Sequence, residues 1–305
     1  VKCVGCDGQA SSPLPFHYEW EARRFVLCRC PRCGMISLDP QPTSAEIAAF
    51  YSEEYFASGL HGLDRLGTDY ESAADTGIAA AARFLEREVL TAHSHPHSLF
   101  EIGAAMGHLL AAGESLGLVC GGIEISPEAA ARARDKFGLA LEGGRFEDLD
   151  LSPHRQRWDV IYAGDVLEHL QDPAAAVVKV VDMLAPGGVF VARLPSSFDL
   201  LSSRLAIRVL PALGRTMRLP DKPYHLHEFT RRSALDFFRR YFDDVEVDSS
   251  LIPPWKLNRK SGSAAYRIKG ILHWANLPVT FLAGRCGDRL VVRAKAPCSK
   301  RATDI

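Results

Sequence analysis

The chain lacks a charge excess of either sign: its 305 residues carry 36 Lys and Arg against 37 Asp and Glu. Nucleic acid is therefore not the expected partner, because proteins that bind it concentrate positive charge. No signal peptide is evident at the N-terminus, and Val1 stands where Met is expected, through an alternative start codon or a trimmed end. A membrane-spanning run is missing too. An apolar late stretch, residues 264 to 283, is broken by Arg267, Lys269, Asn276 and Pro278, which leaves an interfacial or substrate-covering role open. Cysteine is sparse after the first 33 residues, which hold five of the eight, and Cys120, Cys286 and Cys298 are scattered. That distribution excludes a disulfide scaffold and points to a reducing, cytoplasmic location. At 47% hydrophobic content the chain can bury one large core or two smaller ones.

Also absent is the G-x-G-x-x-G turn that brings a dinucleotide's pyrophosphate against bare backbone amides. What stands in its place is Ser98-Leu-Phe-Glu-Ile-Gly-Ala-Ala-Met-Gly107, followed by Gly122-Ile-Glu-Ile-Ser126. A short apolar run ends in an acid, and Gly103 and Gly107 then bracket a turn that opens a helix. The second strand, Leu118 to Ile125, carries Glu124 about twenty residues after the first glycine, where a carboxylate can accept both ribose hydroxyls. These signals point to an adenosine-bearing cofactor. Ala104 and Ala105 inside the turn add Cβ atoms that S-adenosylmethionine, which has no phosphate, tolerates. Glu101 can face its ammonium group through water or backbone.

At these residues the chain resembles the class I S-adenosylmethionine-dependent methyltransferases, whose first motif reads acid-x-Gly-x-Gly-x-Gly; Ala105 departs from the middle glycine. The resemblance continues through the strand Trp158 to Ala163 and Gly164-Asp-Val-Leu-Glu-His-Leu-Gln-Asp-Pro173, then the turn Leu184-Ala-Pro-Gly-Gly188 before a strand from Val189 to Leu194. It implies an α/β fold with a doubly wound Rossmann-like sheet over residues 98 to 305, interrupted by insertions at about 199–222 and 251–287. It also implies cofactor contacts from Glu101, Gly103, Ala105, Gly107, Glu124, Ile125 and Asp165. The family's adenine-holding loop falls after a short third strand, residues 139 to 142. Arg145 occupies the usual acid position, so Phe146, Glu147 or Asp148 is left to do that work.

Residues 1 to 40 read as a separate module. Cys3-x-x-Cys6 and Cys30-x-x-Cys33 are paired knuckles around the strand-like Phe25-Val-Leu, and four thiolates so spaced can close a tetrahedron around structural zinc. Cys28 is a competing ligand. The string from Cys33 to Phe56 resembles a subgroup of these methyltransferases with an N-terminal zinc ribbon. Residues 41 to 97 read as a helical linker or cap. A capping box, Thr43 with Glu46, precedes Ile47, Phe50, Tyr51, Tyr55 and Phe56 on one apolar face, as core or as the border of a substrate pocket. The alanine-rich helix Thr76 to Leu90 leads into a histidine-bearing loop, His93 to His97, read as solvated linker.

Asp165, Glu168 and His169 share a face if helical, at the strand end where ligands bind in open α/β sheets. His169 there contacts cofactor or substrate, or the three hold a divalent metal, as similar motifs do in small-RNA 2′-O-methyltransferases. In the first insertion Leu200, Leu201, Leu205, Val209, Leu210 and Leu213 mark the apolar side of a helix. Its basic residues, Arg204, Arg208, Arg215, Arg218 and Lys222, form either a solvated face or a lid over an anionic substrate. In Pro223-Tyr-His-Leu-His-Glu-Phe-Thr230, His225 matches a histidine that the resemblance places beside the transferred methyl, and strand alternation would bring His227 to the same side. The function expected is O-methylation of a small hydroxylated metabolite or sugar derivative. His225 would be the general base, assisted by His227 or His169. An RNA methyltransferase, and a non-catalytic binding protein whose zinc module recruits a partner, are the alternatives.

Overall fold

The computed structural model describes residues 2–6, 8–9, 12–50, 74–219, 222–251 and 264–297. Tyr51, Tyr55 and Phe56, expected on the capped helix, lie outside them, as do Val1 and Cys298. The chain opens with β1 (Ser12–Trp20), β2 (Arg23–Arg29) and β3 (Ile36–Asp39), then α1 (Ser44–Phe50) and α2 (Ala74–Phe84). Next come β4 (Ser98–Ile102), α3 (His108–Ser115), β5 (Val119–Glu124), α4 (Pro127–Phe137), β6 (Glu142–Gly143), β7 (Trp158–Gly164), α5 (Pro173–Met183) and β8 (Leu184–Pro195). The remainder is α6 (Leu201–Ala212), β9 (Met217–Arg218), β10 (His227–Glu228), α7 (Arg231–Phe238), β11 (Phe242–Ser250), α8 (Ala264–Ala283) and β12 (Arg289–Pro297).

Seven strands form one sheet in the order β11-β12-β8-β7-β4-β5-β6, with β12 antiparallel to both neighbours and the others parallel. The central strands are mainly apolar because both faces are covered. Alternation sends Phe100, Ile161 and Phe190 into one core, with Phe237 and Phe238 of α7, and Leu99, Val160 and Val191 into the other. Local signals set the helix ends. Ser126 accepts from the Ala129 amide and Asp172 from the Ala175 amide, each followed by proline in the first turn, and Gly138 ends α4 at φ +74°. Strand order reverses between β4 and β7, so a crevice opens beyond their C-terminal ends.

The second sheet joins parts of the chain that are far apart in sequence. Its order is β10-β3-β2-β1-β9: the three strands of the cysteine module form the middle, and residues 217–218 and 227–228 close its two edges. Ala206, Ile207 and Leu210 of α6 lie against its apolar face, beside Leu14, Phe16 and Leu27. This corrects the expected face of α6: Leu205, Val209 and Leu213 point to solvent. The helix carries apolar residues on two sides, and periodicity alone does not say which side meets a sheet built from the other end of the chain.

Candidate functional site

At the end of β4 the chain reverses through Gly103 and Gly107, both at positive φ, with Ala105 between them at φ +47°. A Cβ on Gly103 would stand 2.7 Å from Val166 Cγ2, and one on Gly107 would stand 2.5 Å from Leu139 Cδ1, so glycine is required for space as well as for conformation. Glu124 holds the turn: its carboxylate accepts from the Ala105 amide at 2.7 Å and from the Ser126 amide at 2.8 Å. Glu101 is buried under the turn with Oε2 unpartnered. Burial first, and the nearby Glu124 carboxylate second, push its carboxyl well above the usual range, with Arg193 pulling the other way. A buried acid pair with one unsatisfied oxygen is suited to a cationic nucleoside, so the residues present fit S-adenosylmethionine.

The remaining expected cofactor contacts divide. Ile125 is exposed at the tip of β5, open to a flat ring. Phe146 is turned into the core, which corrects its expected place in the pocket, and Glu147 is paired with Arg145 at 2.8 Å. Asp165 leaves β7 at φ +56° and is gripped by Arg193 Nη2 at 2.5 Å and Arg289 Nη1 at 2.8 Å. Burial would raise its pKa, but the two guanidinium groups outweigh that and hold it below the ordinary value. Asp165 therefore does not join Glu168 and His169 in the cation set considered above.

His225 takes its place. Ligand atoms of Glu168, His169 and His225 all lie within 4.8 Å of one another, and the two imidazoles meet edge to face at 5.0 Å. The Tyr224 carbonyl accepts from His169 Nδ1 at 2.9 Å, which puts that ring's proton on Nδ1. Burial and then His225 depress the His169 pKa to about 3, so it is neutral. Glu168 is wholly buried with neither carboxylate oxygen hydrogen-bonded; burial and then Asp165 raise its pKa to about 8. His225 Nδ1 lies 2.9 Å from Oε1 of the buried Glu228. With Nδ1–H donated to that carboxylate, Nε2 carries the lone pair.

His227 does not converge with His225. Only His227 and Glu228 are strand, with a bend at Leu226 before them, so alternation does not extend back to His225. His227 is bonded to Ser37 Oγ at 2.9 Å inside the ribbon sheet, and burial lowers its pKa to about 4. The Leu226 amide donates to the Glu168 carbonyl at 2.8 Å and the Leu38 amide to the Leu226 carbonyl at 3.0 Å, so one residue ties the cluster to the cysteine module. Arg193, Arg289 and Glu228 were not foreseen. The first two were visible as charges in apolar strands, the third as a carboxylate three residues after His225.

The Sγ atoms of Cys3, Cys6, Cys30 and Cys33 also lie within 4.8 Å of one another, with the Cys3–Cys33 and Cys6–Cys30 pairs at 3.5 Å. A tetrahedral site with metal–sulfur bonds of about 2.3 Å needs sulfurs roughly 3.8 Å apart, so the set fits zinc. The hydrogen bond from Cys3, and burial, push the Cys33 thiol well above its ordinary range, and a metal ion would bind it as the thiolate. Cys28 is buried in β2 outside this set.

A reversed last strand and an acid-framed, glycine-bracketed turn at the switch point define a Rossmann-like nucleoside-binding protein. A family model described as a methyltransferase domain matches residues 73–241. The chain belongs to this family, the class I S-adenosylmethionine-dependent methyltransferases. It is 30% identical over 209 residues to the trans-aconitate 2-methyltransferase of Methylobacterium nodulans, covering 67% of this chain and 75% of that one. It is 28% identical over 147 residues to a ubiquinone biosynthesis O-methyltransferase of Cereibacter sphaeroides, covering 45% of this chain and only 60% of that relative's length. Among solved structures, a chain of the complex between the Haloferax volcanii Trm112 methyltransferase activator and a methyltransferase matches with a TM-score of 0.52 at 17% identity, over 80% of this chain and 98% of that one. At that identity the likeness concerns the fold alone. Among the described residues, no helix is long and apolar enough to cross a membrane.

Proposed function

We propose that the protein methylates an oxygen of a small hydroxylated metabolite or sugar derivative, with His225 as general base. S-adenosylmethionine, when bound, supplies an electrophilic methyl on a sulfonium. Glu101, Gly103, Ala105, Gly107, Glu124 and Ile125 would hold it, with the Glu101 carboxylate facing its positive charge. Glu147 would border the adenine. Asp165, pinned by two arginines, would shape the pocket wall. Held in line with the methyl, the acceptor gains several kcal/mol from positioning alone. His225 would take the acceptor proton at Nε2 while Glu228 fixes the ring and balances the imidazolium, and His169 would face the same acceptor. The reading is carried by the 2.9 Å His225–Glu228 contact beside Glu168 at the strand end. Two relatives named as an O-methyltransferase and a trans-aconitate methyltransferase support the oxygen acceptor. Zinc on Cys3, Cys6, Cys30 and Cys33 would be structural, since four thiolates leave it no open position.

His225→Ala should leave donor affinity by calorimetry within error and lower turnover at least about a hundredfold; an unchanged rate removes His225 from the chemistry. One observation favours a second reading. Both Glu168 oxygens lack a hydrogen-bond partner, so a divalent cation on Glu168, His169 and His225 would ionise the acceptor instead. Turnover lost to a chelator and restored by magnesium, a hard cation that thiolates bind poorly, would establish that reading.

A further inference from the structure

The C-terminal half of helix α8, from residue 271 on, is built inside out. Its outward stripe is Ile271, Trp274, Ala275, Pro278, Phe281 and Leu282, at helical spacing, and Phe281 and Leu282 are 88% and 82% exposed. Among its described side chains the fully buried ones are polar: Asn276 is 0% exposed, His273 3% and Thr280 7%. They are satisfied inside, for Asn276 Oδ1 accepts from the Leu201 amide of α6 at 2.9 Å and Thr280 donates to the Asn276 carbonyl. A helix facing water shows the reverse arrangement, so the stripe calls for an apolar surrounding. Its neighbour α6 adds Leu205, Val209 and Leu213, also exposed and four residues apart.

Charge decides among occupants. Among the described side chains, residues 200–219 and 271–287 contain five Arg and no Asp or Glu. Arg204 and Arg218 are paired with Asp199 and Glu19, but Arg208 and Arg215 are exposed and make no ion pair among the described residues, and Arg285, just past the end of α8, is exposed. A second copy of the chain would set two such basic surfaces against each other. Nucleic acid would meet the charge but leave Phe281, Leu282 and Trp274 in water. An anionic bilayer satisfies both, taking aromatic and aliphatic side chains at the headgroup boundary while its phosphates meet the arginines.

We infer that the α6–α8 face docks the protein on anionic membrane surfaces. The test is sedimentation of the full, zinc-loaded chain with vesicles of phosphatidylcholine alone or mixed equally with phosphatidylglycerol. The chain should pellet with the mixed vesicles, remain in solution with the neutral ones, and be released by salt. Phe281→Ser with Leu282→Ser, and separately Arg208→Glu with Arg215→Glu, should each weaken partition at least about tenfold, since each basic residue near such a surface contributes about 1 kcal/mol. All these side chains are exposed, and unchanged donor binding by calorimetry will show that the variants are folded. Equal partition onto both vesicles, or onto neither, overturns the inference. So does a dimer in sedimentation analysis that Phe281→Ser with Leu282→Ser dissolves.

Discussion

At the scale of single residues, Ala105 carries an avoidable cost. It sits at φ +47°, in the left-handed region, where the family's pattern has glycine. A Cβ there costs roughly 1 kcal/mol, partly offset in the unfolded chain by glycine's extra freedom. Ala105→Gly should therefore raise stability by up to about 1 kcal/mol in urea titration; a loss would mean that the alanine methyl packs usefully. The acids and glycines of this turn were legible in the sequence because each answers a local need: a helix start, a close approach, a charge beside a cation. Glu228 stood three residues from His225, but its burial, which makes it the partner of that ring, was not legible because nothing local distinguishes a buried carboxylate from a solvated one. Asp165 was misplaced for the same reason. Its arginines come from strands 28 and 124 residues away.

Among elements, the two-residue strand β10 depends on His227, which is neutral when buried beside Ser37. Its pKa falls from about 6.5 in the unfolded chain to about 4 when folded. The unfolded state therefore binds the extra proton across that window, and the contribution to stability is present above it and lost as pH falls through it. His227→Asn keeps a hydrogen-bonding atom for Ser37 and removes the titration. The stability difference between the parent and this variant should shrink between neutral pH and about pH 4.5, by urea midpoints; a constant difference would show that His227 does not titrate with unfolding. Strands with their own signals were placed well from the sequence: β4, β5 and β7 fall where the apolar runs put them. The side of α6 that is buried was not, since the surface it meets is made elsewhere.

For the molecule as a whole, the cysteine module and the first insertion share one sheet, so a metal held by Cys3, Cys6, Cys30 and Cys33 would support Glu228 through β3 and β10. Replacing Cys30 and Cys33 with serine should lower turnover far more than donor affinity, because β3 holds Glu228 opposite Ile36 while the Gly103 turn is secured by Glu124. Equal losses in both would show that the module merely stabilises the whole protein. One consequence concerns inheritance. Two stretches nearly two hundred positions apart meet as strand partners, so a change in one tolerates only matching changes in the other. Recombination that moved the leading forty residues alone would leave mismatched edges. Exchange of both stretches together would keep the strand partners matched and leave the Gly103 turn, held by Glu124, untouched.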